Sequence, residues 1–317
     1  MPPAPEIRKE PRAVAVEFGG DAASEASDAL GNPRLRIPLT RLDGADSECL
    51  FGAARTAGSV DGFRLFEVDQ LLIGWSFEPV GGDMQGAARR LYGRLLAAAS
   101  GRRLCRIWNY VPEINAVRGG IENYQAFNVG RSLAFQAAFG DKFPAVLPSA
   151  SAVGSRGDAL ASLFVASTSN ARHFENPEQV PAYRYPREYG PSPPSFSRAT
   201  IASSGGRSLV FISGTAAIKD HATVAPGSLV AQVRCALDNL RLISRATGMG
   251  DDLGAGAGSE RHFKVYLRNA SDLPEAKARL AGALLRPGDR VVWLQADLCR
   301  AGLGIEIEAT LLGAPPQ

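Results

Sequence analysis

Two glutamates near the C-terminus have the spacing that acid–base chemistry could use. Glu306 and Glu308 alternate with Ile305 and Ile307, which is the pattern of a β-strand with its carboxylates on one face and its isoleucines on the other. Such a strand commonly turns its glutamates to water. Alternatively, Glu306 faces a pocket beside Cys299, where an apolar wall raises its pKa, and it acts as a proton donor or base. The pattern by itself leaves both interpretations open.

Arginine and tyrosine residues form two further pairs that could bind a ligand. Tyr124 and Arg131 are seven residues apart on a predicted helix, so two helical turns place them on one face. Tyr185 and Arg198 bracket a connector rich in Tyr, Pro and Arg. An arginine binds a carboxylate through two parallel hydrogen bonds, and a tyrosine adds a neutral donor. Two such pairs suit a small dicarboxylate, although each arginine taken singly could form a surface ion pair.

Other common catalytic groups are poorly represented. The four cysteines form no CxxC pair and there are three histidines, so the sequence predicts no metal site. The Asp220–His221 dipeptide and the glycine runs are interpreted as turns. A nucleophilic Cys299 would need an adjacent base, and its only charged neighbour in sequence is Arg300. We therefore expect Cys299 to line a pocket.

Composition fits a globular protein that binds a small molecule. Of the 317 residues, 45% are hydrophobic and 21% are charged, and the formal net charge is only +3. This charge gives no reason to expect a nucleic-acid or membrane partner. No window is long and apolar enough to span a bilayer, and the Pro-rich start has no apolar signal segment. We expect a soluble cytoplasmic protein with a flexible tail over residues 1–12.

Hydrophobic periodicity predicts alternating strands and helices that would position these groups. Residues 19–48 are polar and irregular and predict no regular element. The predicted strands cover residues 13–18, 63–68, 71–77, 104–111, 143–147, 160–166, 198–203, 209–213 and 263–267, with two more between 291 and 310. The predicted helices cover about 84–96 and 122–138, the stretch from Pro226 to Ile243, and the stretch from Pro274 to near Leu285.

The order of these elements is β-β-α-β-α-β-β, and it occurs twice. We therefore predict an α+β fold of two tandem units, with the helices packed on one face of each sheet. The predicted division is 13–166, a connector over 167–197 that contributes to the pocket, and 198–317. The position that matches Glu306 falls near Ser162 and Leu163 in the first unit, so we expect one active site per chain.

Several motifs resemble known families. From Ser192 onward the chain is similar to the reactive-intermediate deaminases (YjgF/RidA-like, with a chorismate-mutase-like fold), through the motifs PPSFSRA, LVFISGTAAI, AQVRCALDNLRLISRATG, FKVYLRNASDL and IEIEA. With GIENYQAFNVGR and the connector YRYPREYGPSPPSFSRA, the whole chain resembles the chorismatases. These build on a YjgF-like fold and cleave chorismate to pyruvate and a cyclic acid. The IEIEA ending does not separate the two families, whereas the connector and the Tyr/Arg helix do.

This resemblance implies a role for each candidate residue. Glu306 would protonate the enolpyruvyl methylene of chorismate, and Tyr124, Arg131, Tyr185 and Arg198 would hold the substrate and its carboxylates. Protonation of a vinyl ether creates an oxocarbenium ion, so the acid must stay protonated near neutral pH and then stabilise a cation as a carboxylate. An apolar flank and a neighbouring Glu308 would raise the pKa of Glu306. No cofactor is implied.

The resemblance also bears on the product. Chorismatases that form 3-hydroxybenzoate resemble this chain in carrying Cys seven positions before the acid, as Cys299 stands to Glu306, and Gly in a pocket strand, which Gly214 matches. Together with Ala216, these residues would control the product. The alternatives are a hydrolase that forms a dihydroxy-cyclohexadiene acid, a mixed 3-/4-hydroxybenzoate synthase, an imine deaminase, or a non-catalytic metabolite-binding module. We expect a monomer or a small homo-oligomer such as a trimer.

Overall fold

The fold consists of two β-sheets packed face to face, with helices on their outer faces. The computed structural model describes residues 12–313, without the side chains of residues 12, 50 and 53. The predicted flexible tail therefore lies outside the described residues, except that Arg12 begins the first strand. Among residues 12–313, no helix has both the length and the apolar composition that crossing a membrane requires.

The strands are β1 (Arg12–Phe18), β2 (Ser24–Ser27), β3 (Pro33–Ile37), β4 (Thr40–Gly44), β5 (Ser47–Val60), β6 (Phe63–Val68), β7 (Leu71–Pro79), β8 (Arg103–Pro112), β9 (Val117–Arg118), β10 (Ile121–Glu122), β11 (Ser149–Ser155), β12 (Ala159–Ser167), β13 (Arg172–Phe174), β14 (Ala199–Ser204), β15 (Arg207–Ala216), β16 (Ile218–Lys219), β17 (Ala222–Thr223), β18 (Glu260–Leu267), β19 (Arg290–Gln295) and β20 (Ile305–Gly313). The helices are α1 (Met84–Ala98), α2 (Asn123–Phe139), α3 (Leu229–Ala246) and α4 (Leu273–Leu280), with 3₁₀ helices at Gly140–Val146, Ala182–Arg184, Arg187–Tyr189 and Ala270–Asp272.

Both sheets contain the same five-strand arrangement. The first sheet has the order β11-β8-β12-β7-β6-β5-β1-β3-β2, and the second has the order β13-β14-β15-β20-β18-β19-β4. Read from β6 to β11, the first sheet therefore repeats the path of the second from β14 to β19. The strand pairs β8–β11 and β18–β19 are both parallel. The predicted α+β fold with a duplicated element order is confirmed.

Three apolar clusters divide the molecule into layers. One lies between the sheets and includes Trp108 and Phe211, whose rings meet edge to face with centroids 6.3 Å apart. A second lies between the first sheet and helices α1 and α2. The third lies between the second sheet and helices α3 and α4, and it contains Ile305 and Ile307. Because side chains alternate along a strand, Glu306 and Glu308 face the space between the sheets.

The two halves are joined by backbone as well as by side chains. β4 comes from the first part of the chain but pairs with β19 at the edge of the second sheet. The outer edge of β11 is hydrogen-bonded to the second half, where Ser213 Oγ accepts from the Ala150 amide and the Asp297 carbonyl accepts from the Gly154 amide. An edge strand that is paired in this way leaves few free backbone groups. The division at residues 166/167 and 197/198 remains a proposal.

Residues 19–48, for which no element was predicted, form three strands and the start of β5. The usable signal was the alternation of buried Leu35 and Ile37 with Arg34 and Arg36. The arginines pair with carboxylates on neighbouring segments, among them Glu17. Because every second residue of this strand is a charged one paired with a distant carboxylate, the segment looks polar in the sequence.

One predicted strand and two predicted helix ends are wrong. The strand predicted at 143–147 is part of a 3₁₀ helix, because Phe143 packs on Phe135 of α2 with ring centroids 6.1 Å apart. α3 begins at Leu229 rather than near Pro226, because Ser228 caps it by accepting from the Ala231 amide. α4 ends at Leu280 rather than near Leu285, and Gly282 follows with a φ of 72° that a helix cannot adopt.

We expect Phe164→Ala to reduce the free energy of unfolding by about 3–5 kcal/mol, because it removes a fully buried ring that packs 5.6 Å from that of Phe63. Urea unfolding measures this loss. Leu30→Ala is the control, since Leu30 is 83% exposed and should change stability by less than about 0.5 kcal/mol. A loss below about 1 kcal/mol for Phe164→Ala would contradict the packing described above.

Candidate active site

A cavity of about 260 Å³ lies where the connector crosses the opening between the sheets. Its walls come from the start of α2, the connector, the β15 bulge and the segment from Cys299 to Glu306. The lining residues are Glu122, Tyr124, Gln125, Gln179, Tyr185, Glu188, Tyr189, Pro194, Phe196, Arg198, Gly214, Thr215, Ala216, Ile218, Cys299, Arg300, Ala301 and Glu306.

Glu306 is the carboxyl group at the inner wall of this cavity, and only 3% of its surface is exposed. Burial raises its pKa to about 8, the charge of Glu308 adds to the rise, and Arg106 and Arg198 partly offset it. A carboxyl group with this pKa is mostly protonated at neutral pH. The structure thus decides between the two interpretations of the strand: its glutamates are buried, and Glu306 opens into a pocket.

Gly214 and Ala216 make room for this carboxyl group. The β15–β20 register shifts between Ile212 and Thr215, and Gly214 lies in the resulting irregularity. A Cβ atom on Gly214 would stand 1.9 Å from Glu306 Oε1, so any side chain there would displace the acid. Ala216 is directly opposite Glu306 in the register. Both residues thus limit the shape of the cavity next to the acid.

Glu308 has a different environment from Glu306, because its oxygens are all engaged. Oε2 accepts from Arg106 Nη2 at 2.6 Å and from Ser151 Oγ at 2.5 Å. Oε1 accepts from Trp108 Nε1 at 2.8 Å and lies 2.8 Å from Lys264 Nζ. Burial alone would raise its pKa, but Lys264 and Arg106 outweigh burial and hold the pKa below its usual range. Glu308 is therefore an ionised carboxylate.

Arg198 and Tyr185 meet in the cavity, as their pairing in sequence suggested. Arg198 Nη2 donates to Tyr185 Oη at 2.6 Å, and the guanidinium lies over the Phe196 ring, 5.1 Å from its centroid. Arg198 Nε is buried and has no hydrogen-bond partner among the described residues. A buried guanidinium with a free N–H is suited to an anionic ligand.

Tyr124 lines the cavity but Arg131 does not. Tyr124 lies in the first turn of α2, and burial raises the pKa of its phenol, so it remains a neutral donor. Arg131 is seven residues further along, which is about 10 Å down the helix axis. It is 1% exposed and donates to Asn128 Oδ1 at 2.7 Å. The charge of Arg131 still acts on the Tyr124 phenol, and a contact of Arg131 with a ligand stays a prediction.

Cys299 lines the cavity as a neutral thiol. Burial raises its pKa to about 12, and the neighbouring Glu306 contributes to the rise. A thiol in this state is a poor nucleophile. Its side chain lies on the cavity wall, where it acts as a small apolar group.

Sequence reasoning missed Arg300 as a cavity residue. Its guanidinium lies 3.9 Å from the centroid of the Tyr189 ring, and Nη1 donates to the His221 carbonyl at 2.8 Å. His221 Nδ1 is in turn 3.2 Å from Tyr189 Oη. The signal available in sequence was that Arg300 directly follows Cys299. Its stacking partner in the connector is 111 positions earlier, and only the fold brings the two together.

Comparisons with known proteins agree with this geometry. A family model described as "Chorismatase FkbO/Hyg5-like, N-terminal" matches residues 49–166. A protein named chorismatase from Streptomyces rapamycinicus is 33% identical over 295 residues, which cover 89% of this chain and 87% of that protein. The chain belongs to the chorismatase family. It is accordingly an enzyme.

Two further relatives extend this result. The crystal structure of a chorismatase matches this chain with a TM-score of 0.79 at 30% identity, over 98% of this chain and 96% of that one. A protein named 3-hydroxybenzoate synthase from Streptomyces hygroscopicus is 38% identical over 219 residues, or 65% of this chain. The match spans 63% of that protein, which is less than two thirds of its length.

Burial of Glu306 should make the free energy of unfolding decrease as pH rises. The folded state holds a proton up to a pKa of about 8, whereas the unfolded state releases it near the ordinary value of 4.5. Between these values the folded state binds more protons, so the free energy of unfolding decreases as pH rises. Glu306→Gln removes this penalty and should be more stable than wild type at pH 8, by on the order of 4 kcal/mol.

Urea unfolding of both proteins at pH 4.5, 6 and 8 measures this difference. The two stabilities should be close at pH 4.5 and diverge as pH rises. Glu275→Gln is the control, because Glu275 is about half exposed and pairs with Arg279 on the surface of α4. A constant difference between Glu306→Gln and wild type across this range would show that Glu306 titrates normally.

Proposed function

We propose that this enzyme cleaves chorismate to pyruvate and 3-hydroxybenzoate, with Glu306 as the general acid and without a cofactor. The observation that carries the proposal is a buried carboxyl group with a pKa of about 8 on the wall of a cavity that also contains two arginines. This arrangement combines an acid that is protonated at neutral pH with groups that bind anions. Acid catalysis on a dianionic substrate needs both.

The cations of the cavity match the charges of such a substrate. Chorismate carries one carboxylate on its ring and one on its enolpyruvyl group. Arg198 and Arg300 both line the cavity, and each is positioned by aromatic rings of the connector. Tyr124 and Tyr185 add hydroxyl groups to the walls. We assign the two carboxylates to the two guanidinium groups, with Tyr185 orienting Arg198 through its 2.6 Å hydrogen bond.

In the first step, Glu306 transfers its proton to the terminal methylene carbon of the enolpyruvyl group. A C–H bond forms, the vinyl double bond is consumed, and an oxocarbenium ion results. The Glu306 carboxylate produced at the same moment lies beside this cation. Because both groups are shielded from water, their attraction is stronger than it would be in solution. The Glu306 side chain therefore serves first as acid and then as counter-ion.

In the second step, the bond between the ring carbon and the ether oxygen breaks, and that oxygen leaves as the ketone oxygen of pyruvate. On the 3-hydroxybenzoate path the hydroxyl oxygen on the neighbouring ring carbon bonds to this carbon as the ether bond breaks, and it loses its proton to form an epoxide. The epoxide bond to the neighbouring carbon then breaks and the oxygen takes up a proton, so the phenol oxygen ends on the carbon that carried the ether. One ring proton is lost and replaces the proton that Glu306 gave. The two products together have the composition of chorismate, so no water is consumed. On the hydrolytic path, water instead attacks the cation and one molecule of water is consumed.

We propose the 3-hydroxybenzoate path because of three residues beside Glu306, which are Cys299, Gly214 and Ala216. All three line the cavity close to Glu306, and none of them is charged. They can influence the outcome only through the space they leave beside the acid. The similarity to a protein named 3-hydroxybenzoate synthase, at 38% identity, supports the same product.

Incubation of the pure protein with chorismate should release pyruvate, measured with a coupled lactate dehydrogenase assay. We expect Glu306→Gln to reduce kcat by at least about 10³-fold, because the amide cannot donate the proton. Glu275→Gln, on the surface of α4, should retain full activity. No release of pyruvate by wild type above the Glu306→Gln level would exclude the proposal. Turnover of 2-aminoacrylate would then indicate an imine deaminase, and calorimetric binding without turnover a binding module.

We expect Cys299→Ala to change the product rather than the rate of pyruvate release, because more space beside Glu306 admits water to the cation. Chromatography against 3-hydroxybenzoate, 4-hydroxybenzoate and the dihydroxy-cyclohexadiene acid measures the ratio. Cys235→Ala is the matched control, since Cys235 lies on α3 and does not line the cavity. An unchanged product ratio in Cys299→Ala would remove this residue from product control.

A further inference from the structure

Glu308 lies close to the acid but outside the cavity. It follows Glu306 by two positions on β20 and points to the same face, which places the two side chains about 7 Å apart. Both side chains are buried, but Glu306 lines the cavity and Glu308 is not among the lining residues. A substrate in the cavity therefore meets Glu306, and any effect of Glu308 on the reaction must pass through Glu306.

The charge of Glu308 is fixed by groups from both sheets. Arg106 and Trp108 on β8 and Ser151 on β11 belong to the first sheet, and Lys264 on β18 belongs to the second. Lysine and arginine side chains stay protonated far above neutral pH when they are paired in this way. No change of solution pH near neutrality can neutralise Glu308 without breaking these contacts.

Lys264 connects Glu308 to a second buried carboxylate. Its Nζ lies 2.5 Å from Glu48 Oε2 on β5 and 2.8 Å from Glu308 Oε1. With Arg106, the cluster contains two cations and two carboxylates, and all four groups are buried. The centroid of the Trp108 ring is close to both cations, 4.8 Å from the Arg106 guanidinium and 4.7 Å from Lys264 Nζ. The cluster is electrically balanced, but its charges are not equally distant from Glu306.

The groups that face Glu306 come from several elements. They are Glu308 on its own strand, Arg106 on β8, Tyr266 opposite it on β18, Arg198 before β14, and Cys299 and Arg300 before β20. The far wall of the cavity adds Glu122 and Glu188. Among the described residues, the charge of Glu308 raises the pKa of Glu306, and the charges of Arg106 and Arg198 lower it.

We propose that Glu308 is a positioning residue for the acid: the ion cluster of Arg106, Lys264 and Glu48 holds it as a fixed anion that keeps Glu306 protonated at working pH. In the same role, Glu308 disfavours the Glu306 carboxylate until a cation forms in the cavity. Proton transfer is then coupled to the appearance of the oxocarbenium charge. The activity readout of this inference rests on the proposed function, whereas the titration of Glu306 does not.

The test compares Glu308→Gln with Glu48→Gln. Both variants remove one carboxylate from the same buried cluster, so both should lose stability. Only Glu308→Gln removes a charge next to Glu306. In wild type, kcat/KM for pyruvate release should be constant below pH 8 and fall above it, because the protonated acid is the active form. In Glu308→Gln the fall should move down by about one to two pH units, and in Glu48→Gln it should not move.

An infrared titration of the protonated carboxyl band gives the same information without substrate. The band is assigned by its absence in Glu306→Gln. Its midpoint should fall by about one to two pH units in Glu308→Gln, stay in place in Glu48→Gln, and return toward wild type in Glu308→Asp, which restores the charge. If Glu308→Gln does not fold, the charge-balanced pair Glu308→Gln with Lys264→Met replaces it, with the same expected fall.

The outcomes separate the two proposals. An unmoved midpoint in Glu308→Gln, or an equal movement in Glu48→Gln, overturns the role of Glu308 whatever the enzyme does with chorismate. A wild-type protein that releases no pyruvate overturns the proposed function, while the infrared titration still decides the role of Glu308.

Discussion

The arrangement of this protein depends on one buried carboxylate, Glu308, which joins the two sheets. It accepts from Arg106, Trp108 and Ser151 of one sheet and pairs with Lys264 of the other. Buried ion pairs add little net stability compared with well-packed apolar groups, but removing one partner is costly because it leaves an unpaired charge. The contacts therefore fix how the sheets face each other. The depth and orientation of Glu306, two residues away, follow from that.

The cavity combines two kinds of structure. Its floor is the rigid inter-sheet layer, where Glu306, Gly214 and Ala216 are held by strand pairing. Its outer wall is the connector, whose prolines and short 3₁₀ helices hold Tyr185 and Tyr189 over Arg198 and Arg300. The floor thus raises the pKa of Glu306 by burial, and the wall supplies two guanidinium groups, of which Arg198 has a buried Nε–H without a partner among the described residues.

The two units differ at the position of Glu306. Both halves have the same strand path, and β12 occupies the place of β20. In β12, Ser162 faces the helices and donates to Asn109, while Leu163 lies in the apolar cluster between the sheets. The first half thus places an apolar residue where the second half places a carboxylate. Its strands instead supply Arg106, Trp108 and Ser151, which hold the neighbour of the acid.

The sequence alone determined the element order, the repeated unit, the two faces of the closing strand and the residue types of the site, because these depend on local periodicity and on short motifs. It missed the strands within 19–48, whose charged faces are paired with distant residues, and it extended α4 beyond Leu280. It also paired Tyr124 with Arg131 by helical face; Tyr124 lines the cavity, while Arg131 is buried and is not among the lining residues.

Tertiary structure decided the rest. It brought Arg300 against Tyr189, and it surrounded Glu308 with donors up to 202 positions away in the chain. It also made Glu306 a neutral acid while Glu308 two positions on is an anion. Both glutamates are flanked by apolar residues in the sequence, so the difference in their protonation states comes from burial and from the cations Arg106 and Lys264 that only the fold places beside Glu308.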